Sequence, residues 1–321
     1  MITNDFLEKR IHRFENVCLN MKCIKTSPLS AIVKIDEQLF ESLKYTASKY
    51  LSRVLKSKKN LTGKQIIENF DKQRHTLPNI TPGGLILPKN YSSIEYNDLM
   101  KKFYSVISLT MKCDEKIDSW FIPMSMRVKY SQKNKINLNS RYETESMHMD
   151  SWSGYSSFGI TCILPLFGDV VGNSIDFWEL KNEVFEEEWM KPPLTAGKFD
   201  RAKQEKIIKQ YKKINFERRP GYMFLTDGSI IHKTYRDEKG CGTRISIDHI
   251  FVPKVSDSDK KYEYVSKERM LESMKYKELM QLGNKQTFIF EDTDNDIRDS
   301  KKGIINPTGY NVQKIKKVNP K

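Results

Sequence analysis

The sequence predicts a mainly β fold with flanking helices, and three observations carry this prediction. From residue 120 onward, short runs of β-branched and aromatic residues are bounded by Gly, Pro, Asn and Asp, which is typical of antiparallel strands in a barrel or sandwich. Before residue 115, apolar residues instead recur at helical spacing. Hydrophobic residues make up 38% of the chain, enough for a buried core. The predicted strands are "WFIPMSMRVKYS", "SFGITCILPLFG", "SIDFWEL", "GYMFLTDGSIIH" and "TRISIDHIFVP".

The helical periodicity defines an N-terminal layer, residues 1–115, that we expect to pack on the β core. Residues 36–56 begin with an Asp and follow a period close to 3.6, and residues 63–72 and 94–112 also read as helical. The predicted core spans residues 116–255. It contains a charged insert at 181–219, in which "FDRAKQEKIIKQYKKI" predicts an exposed helix. Residues 256–321 predict a C-terminal helix over 262–282 and a polar tail.

Cysteine usage and apolar runs bear on the cellular setting. The five Cys residues are scattered, with no CxxC pair, so a disulfide framework is not expected and a reducing compartment is favoured. The N-terminus lacks the apolar core of a signal peptide, and no run approaches the roughly 18 apolar residues of a membrane span. We therefore expect a cytoplasmic protein with no membrane partner.

The formal net charge of +14 allows three interpretations: a lysine-rich solvated surface, an anionic substrate or cosubstrate, or nucleic acid. The basic residues are spread along the chain, and no basic stretch is interleaved with aromatic residues. The solvated surface is therefore favoured, an anionic small molecule comes next, and nucleic acid is the least favoured partner.

The stretch "ESMHMDSW" contains His148 and Asp150, separated by one residue. On an extended segment the two side chains point to the same face, so an imidazole and a carboxylate can reach one ion. His232, in a predicted strand, is the favoured third ligand over His12, His75 and His249. Two His and one carboxylate with open coordination positions are typical of non-haem Fe(II) sites, although zinc also accepts them.

Twelve residues after His232 comes Arg244, followed by Ser246. Strand alternation in "TRISIDHI" places Arg244, Ser246 and Asp248 on one face and His249 on the other. A guanidinium beside a hydroxyl suits the end of a dicarboxylate, because Arg stays charged and binds carboxylates through two nitrogens. His249 is more consistent with a packed or surface histidine.

The order His-x-Asp, a later His, and Arg-x-Ser resembles the Fe(II)/2-oxoglutarate-dependent oxygenase superfamily, and its phytanoyl-CoA-hydroxylase-like members in particular. The resemblance covers residues 120–253 and is most specific in "RRPGYMFLTDGSIIHKTYRDEKGCGTRISI". It implies a double-stranded β-helix (jelly-roll, cupin-like) core with Fe(II) on His148, Asp150 and His232. It also implies that Arg244 and Ser246 hold the distal carboxylate of 2-oxoglutarate, that O2 is consumed, and that succinate and CO2 form.

The resemblance also separates variants of this chemistry. Asp150 disfavours a halogenase, because halogenating relatives replace this carboxylate with Gly or Ala. Nucleic-acid repair relatives carry a second Arg six residues after the first, where this chain has Ile250. Two departures are the long interval of 84 residues between His148 and His232, which the charged insert explains, and the sequence "GNSIDFWEL" in place of a Gly- and Ser-rich segment.

Three further residues are candidates for substrate contacts: Arg127, Trp152 and Tyr155. The favoured function is hydroxylation, or another oxidation, of a C–H bond in a small metabolite, with an anionic one mildly preferred. The alternative is a non-catalytic cupin-type module that binds a metal or 2-oxoglutarate. The sequence does not predict the substrate or the oligomeric state.

Overall fold

The computed structural model describes most of the first 266 residues and a few short segments beyond them. The described residues are 4–18, 23–73, 77, 80, 83–86, 88–112, 114–121, 124–131, 145–182, 185–196, 198–266, 270, 273–275, 287–289 and 316–318. Among the helices in these ranges, none is both long enough and apolar enough to cross a membrane.

The helices lie mainly in the N-terminal third of the chain. The α-helices are α1 (Asn4–Cys18), α2 (Glu37–Val54), α3 (Gly63–Lys72), α4 (Ser93–Met111), α5 (Arg201–Ile208) and α6 (Asp257–Lys260). Short 3-10 helices occupy Asn90–Ser92, Asp114–Lys116, Asp150–Ser153 and Glu187–Met190. The start of α2 is fixed by Asp36, whose side chain accepts hydrogen bonds from the backbone of Gln38 and Leu39.

The strands dominate the remainder of the described chain. They are β1 (Cys23–Ser27), β2 (Ser30–Lys34), β3 (Leu85–Ile86), β4 (Ile117–Phe121), β5 (Ser125–Lys129), β6 (Ile160–Gly168), β7 (Asn173–Leu180), β8 (Leu194–Thr195), β9 (Lys198–Phe199), β10 (Tyr211–Lys213), β11 (Tyr222–Asp227), β12 (Ile231–Arg236), β13 (Arg244–Pro253), β14 (Ser273–Lys275), β15 (Thr287–Ile289) and β16 (Lys316–Val318).

Two antiparallel sheets form the core. The larger sheet has the order β1-β2-β11-β6-β13-β4-β14, with β5 also paired to β13, and the smaller sheet has the order β10-β7-β12. His148 adds a bridge to β12 at the edge of the smaller sheet. From β5 to β13 the chain passes back and forth between the two sheets, which is the path of a double-stranded β-helix. The predicted mainly β fold with flanking helices and a jelly-roll core is therefore confirmed.

The two sheets face each other across a packed interior. Phe177 of β7 and Phe224 of β11 have ring centroids 5.8 Å apart, and the Asn173 side chain of β7 donates to the Lys129 carbonyl of β5. The opposite face of the larger sheet is covered by α4, where Phe103 packs edge-on against Trp120, and α2 packs against α4. One buried apolar cluster runs from Phe14 in α1 to Phe251 in β13, so the helical layer and the larger sheet share a core.

The predicted helices over 36–56, 63–72 and 94–112 correspond to α2, α3 and α4, but the N-terminal layer is not purely helical. Strands β1 and β2 form a hairpin, and β2 pairs along β11 in the larger sheet. The hairpin signal was present in the β-branched pair Ile32 and Val33 after a Pro-containing turn. Both residues are buried, as expected for a strand that joins the core.

Three other expectations need correction. The charged insert contains only the short helix α5, and Tyr211–Lys213 forms an edge strand of the smaller sheet. The predicted helix over 262–282 is wrong at Ser273–Lys275, which pairs with β4, because an open sheet edge can override local helical preference. The predicted strand ending at His232 is two strands, since Asp227 caps the turn through the Ser229 backbone N–H. Most of the predicted polar tail lies outside the described residues.

Candidate metal centre

His148 and His232 meet as a directly paired couple on neighbouring extended segments. Each residue's backbone N–H donates to the other's carbonyl, at 3.0 and 2.9 Å. Residues paired in this way project their side chains to the same face, and the two imidazole rings lie 4.4 Å apart between centroids. The pairing of backbones across 84 residues of sequence therefore sets the separation of the two rings.

Asp150 reaches the same point from the start of a 3-10 helix. Met149 before it is extended, so Asp150 turns back toward His232 as the helix begins. Its Oδ1 lies 3.7 Å from Nε2 of His232, and its Oδ2 accepts a hydrogen bond of 2.5 Å from the Thr161 hydroxyl on β6. One ligand atom from each of the three residues lies within 4.8 Å of the other two. The cluster could hold one metal ion.

Hydrogen bonding selects the nitrogen that His148 can offer. Its Nδ1 lies 2.8 Å from the Ser146 carbonyl, which can only accept, so Nδ1 carries the proton and Nε2 keeps its lone pair. A backbone carbonyl on the second nitrogen is the usual way in which a metal-binding histidine is oriented. The donor set and its orientation thus fit a divalent cation.

The electrostatics give His148 and Asp150 the charge states that metal binding requires. Burial, followed by the nearby His232, lowers the pKa of His148 to about 3, so its imidazole is neutral near pH 7. For Asp150, burial acts to raise the pKa. The two histidines and the Thr161 hydrogen bond outweigh this effect and hold the pKa below its usual range. The site therefore combines a neutral imidazole with a carboxylate.

Arg244 lies on the inner face of the larger sheet, at the start of β13. It is 1% exposed, and it pairs in register with Lys129 of β5 and Gly168 of β6. Its Nε and Nη1 have no hydrogen-bond partner within the described part of the chain. Burial lowers its pKa to about 10, which still leaves the guanidinium charged near pH 7. A buried cation with unsatisfied donors is suited to binding an anion.

Ser246 lies two residues further along the same face, but its hydroxyl is engaged by a neighbour. Ser246 Oγ donates to Asp248 Oδ1 at 2.7 Å, and Arg127 Nε donates to Asp248 Oδ2 at 2.8 Å. The structure therefore joins Arg127 and Ser246 through Asp248. Sequence alternation had placed Asp248 on this face, but its carboxylate was not singled out as a site residue.

Two more charged residues lie near Arg244, and neither was predicted as a site residue. Arg236 lies four residues after His232 on β12, and therefore on the same strand face, and it binds Glu145 at 2.7 Å. Lys129 is 5% exposed, and burial is the largest cause that lowers its pKa well below the usual value. The period-2 pattern counted from His232 and Arg127 could have identified both.

The two aromatic residues predicted to contact substrate, Trp152 and Tyr155, both pack against other side chains. Trp152 is 1% exposed in a small cluster with Met149 and Ile231, and its indole N–H donates to the Trp189 carbonyl. Tyr155 packs edge-on against Phe121 at 5.0 Å. The structure brings Arg127 to the metal centre's face of the barrel, whereas Trp152 packs beneath the ligand segment.

The remaining histidines lie elsewhere. His249 is on the opposite face of β13, stacked on Trp120 at 5.0 Å, in agreement with a packed histidine. His12 is exposed on α1, and His75 lies outside the described residues.

No family model and no curated protein matches this chain. Solved structures do match. An N-substituted L-amino acid dioxygenase from Burkholderia ambifaria AMMD is 12% identical over 71% of this chain and 84% of its own, with a TM-score of 0.34. The alpha-ketoglutarate-dependent epimerase SnoN from nogalamycin biosynthesis is 8% identical over 78% and 83%, with a TM-score of 0.40. The carbocyclase SnoK from the same biosynthesis is 10% identical over 78% and 85%, also with a TM-score of 0.40. Because the identities and TM-scores are low, the description of the fold and of the candidate site depends on the strand order and side chains of this chain alone.

Proposed function

We propose that this chain is an Fe(II)- and 2-oxoglutarate-dependent dioxygenase that hydroxylates, or otherwise oxidises, an unactivated C–H bond of a small metabolite. The observation that carries the proposal is the convergence of His148, Asp150 and His232, whose donor atoms lie within 4.8 Å of one another. Two imidazoles and one carboxylate are the donor set of non-haem Fe(II) oxygenases. We include in this proposal that the chain is similar to phytanoyl-CoA-hydroxylase-like enzymes, because the order of its motifs resembles theirs.

The second support is the buried guanidinium of Arg244 on the same inner face. Its Nε and Nη1, which have no hydrogen-bond partner among the described residues, match the two oxygens of a carboxylate. In the proposal, Arg244 holds the distal carboxylate of 2-oxoglutarate. Ser246 assists, which requires that its hydroxyl turn from Asp248 toward the ligand.

The chain's own residues then have separate tasks. His148, Asp150 and His232 would hold the ion. The Ser146 carbonyl and the Thr161 hydroxyl fix the ligand orientations. When bound, Fe(II) with 2-oxoglutarate and O2 would supply oxidative decarboxylation to succinate and CO2, coupled to oxidation of the substrate. The low exposure of Arg244 excludes water from the carboxylate that it binds.

The experiment is a turnover assay on purified protein with Fe(II), ascorbate and 2-oxoglutarate, in which succinate is quantified across a broad metabolite panel. We expect succinate to form in an iron-dependent manner, and we expect His148→Ala to lose both metal content and succinate. His12→Ala is the matched control, because His12 is exposed on α1 and lies outside the cluster.

Absence of succinate with every metabolite, together with unchanged metal content in His148→Ala, would contradict the proposal. Stoichiometric binding of metal and 2-oxoglutarate without any succinate would favour the alternative, a non-catalytic cupin-type binding module.

A further inference from the structure

A pair of opposite charges, Arg127 on β5 and Asp248 on β13, lies on the inner face of the larger sheet. Arg127 is directly opposite Ser246 in the antiparallel register, and Asp248 is opposite Ser125. The guanidinium crosses between the two strands to bind Asp248 at 2.8 Å. The pair is therefore held by two strands of the core rather than by a loop.

The register places this pair beside the metal ligands. Asp248 is opposite Ile163 of β6, and two residues further along β13, Ile250 is opposite Thr161, which binds Asp150. Two residues along a strand span about 7 Å. Burial is the largest influence on the pKa values of His148 and Asp150, but the charge of Arg127 also acts on both.

Only part of the Arg127 guanidinium is engaged. Nε donates to Asp248, and Nη1 donates to the Gly83 carbonyl at 3.2 Å. Nη2 makes no hydrogen bond to any residue that the structure describes. The Arg127 side chain is 20% exposed, whereas Arg244 is 1% exposed. Arg127 is therefore the more solvent-accessible of the two arginines.

Three arginines, Arg127, Arg236 and Arg244, lie around this interior, and Asp248 and Glu145 pair with the first two. Nε and Nη1 of Arg244 have no hydrogen-bond partner among the described residues, so this guanidinium favours an anionic ligand. In the proposed function Arg244 serves the cosubstrate, which leaves Arg127 as a second cation closer to the metal ligands.

We propose that Arg127 determines specificity by binding a carboxylate of the primary substrate, while Asp248 orients the guanidinium and competes with that carboxylate. This inference rests on the proposed function and narrows the substrate class to small carboxylates. A planar guanidinium with a free nitrogen binds a carboxylate in a fixed orientation, so the oxidised carbon would be set at a defined distance from the acid group.

The test measures binding of a carboxylate probe rather than turnover. The full chain is loaded with Zn(II), which is redox-inert, and saturated with 2-oxoglutarate. Trifluoroacetate is then titrated by fluorine NMR, with trifluoroacetamide as the neutral counterpart. We expect saturable binding of trifluoroacetate and much weaker binding of the amide. Arg127→Gln should weaken trifluoroacetate binding by about tenfold or more, because a charge-assisted hydrogen bond is lost.

Asp248→Asn should change trifluoroacetate affinity in the opposite direction. It removes the competing carboxylate but keeps the shape, so trifluoroacetate should bind several-fold more tightly, a result that a merely structural role of the pair does not give. The double variant Arg127→Gln/Asp248→Asn replaces the ion pair with a neutral pair. If Arg127→Gln alone unfolds, the double variant takes its place, and it should bind trifluoroacetate about tenfold more weakly than the wild type. The control is Arg53→Gln, which removes the ion pair of Arg53 with Glu95 at 2.9 Å on α2 and α4 and should change nothing.

Equal trifluoroacetate affinity in wild type and Arg127→Gln, or no saturable binding to the wild type, would overturn the proposal. So would a loss of 2-oxoglutarate affinity in Arg127→Gln with trifluoroacetate binding unchanged, since Arg127 would then contact the cosubstrate. Affinities for Zn(II) and 2-oxoglutarate are measured separately on the same samples. If both are absent, the proposed function fails, and trifluoroacetate titration of the chain alone still tests Arg127.

Discussion

The two faces of β13 place their side chains in very different surroundings. On the inner face, Arg244, Ser246 and Asp248 form a polar row, in which two nitrogens of Arg244 have no hydrogen-bond partner among the described residues. On the outer face, Ile245 and Ile247 are buried, and His249 is stacked on Trp120 at 5.0 Å. Alternation along a single strand therefore separates a candidate site from the packing core.

The two faces also show which properties identify a functional histidine. Burial lowers the pKa of His249 to about 3, and burial followed by the charge of His232 lowers that of His148 to about 3 as well. The pKa is thus alike in the two residues, although His148 is partly exposed and His249 is buried. The neighbours differ, because His148 has an oriented Nδ1, a second imidazole at 4.4 Å and a nearby carboxylate, whereas His249 has aromatic rings. The neighbours, and not the pKa, distinguish a ligand from a packed side chain.

The sharpest way to break this comparison is to replace each histidine in turn. His148→Ala removes a ligand, and we expect Zn(II) affinity to fall by about a hundredfold or more, since losing even an outer partner costs about 10- to 100-fold. His249→Phe should leave Zn(II) affinity unchanged, because His249 lies on the other face. Competition with a chromophoric chelator measures both. Equal losses of affinity in the two variants would contradict the assignment of the faces.

The second effect is on acid stability, and it is at most about tenfold in the folding equilibrium for each pH unit. In the unfolded chain His249 takes up a proton near pH 6.5, but in the folded chain only near pH 3, because burial disfavours the charged form. Acidification from pH 6.5 toward 3 therefore favours the unfolded state, by at most about 1.4 kcal/mol per pH unit for this residue. His249→Phe should flatten the loss of unfolding free energy over this interval in denaturant titrations. An unchanged slope would mean that His249 is protonated in the folded protein.

The Thr161 hydroxyl supplies the smallest of these effects. Thr161→Val keeps the shape and removes the hydrogen bond to Asp150 Oδ2, so Zn(II) affinity should fall by about tenfold. Thr46→Val is the control, since the Thr46 hydroxyl donates to the Ser42 carbonyl within α2, away from the cluster. If both variants bind Zn(II) like the wild type, the Thr161 bond does not orient the ligand.

Much of the fold could be predicted because its signals are local. The helical period over residues 36–56 and the alternation in "TRISIDHI" both depend on neighbours in sequence, and both match the structure as α2 and β13. The pairing of β14 with β4 and of β10 with β7 could not be predicted, because open sheet edges recruit whatever chain is close.

The sequence predicted the parts of the candidate site that depend on residue type and order, and it did not predict the contacts that depend on strand register. His148, Asp150 and His232 stand out by type and order, and the structure brings them within 4.8 Å. The Arg127–Asp248 pair depends on the register of β5 against β13, which the sequence does not encode locally. For the same reason the engagement of the Ser246 hydroxyl by Asp248 was not foreseen.

The most direct test of the proposed chemistry is an anaerobic titration of the Fe(II)-loaded protein with 2-oxoglutarate, followed by visible absorption. Chelation of Fe(II) by the keto acid should produce a weak charge-transfer band that saturates. The band should require higher 2-oxoglutarate concentrations in Arg244→Ala, because the buried cation is lost, and should be unaffected in Arg53→Ala. A flat spectrum in iron-replete protein would contradict the proposed dioxygenase.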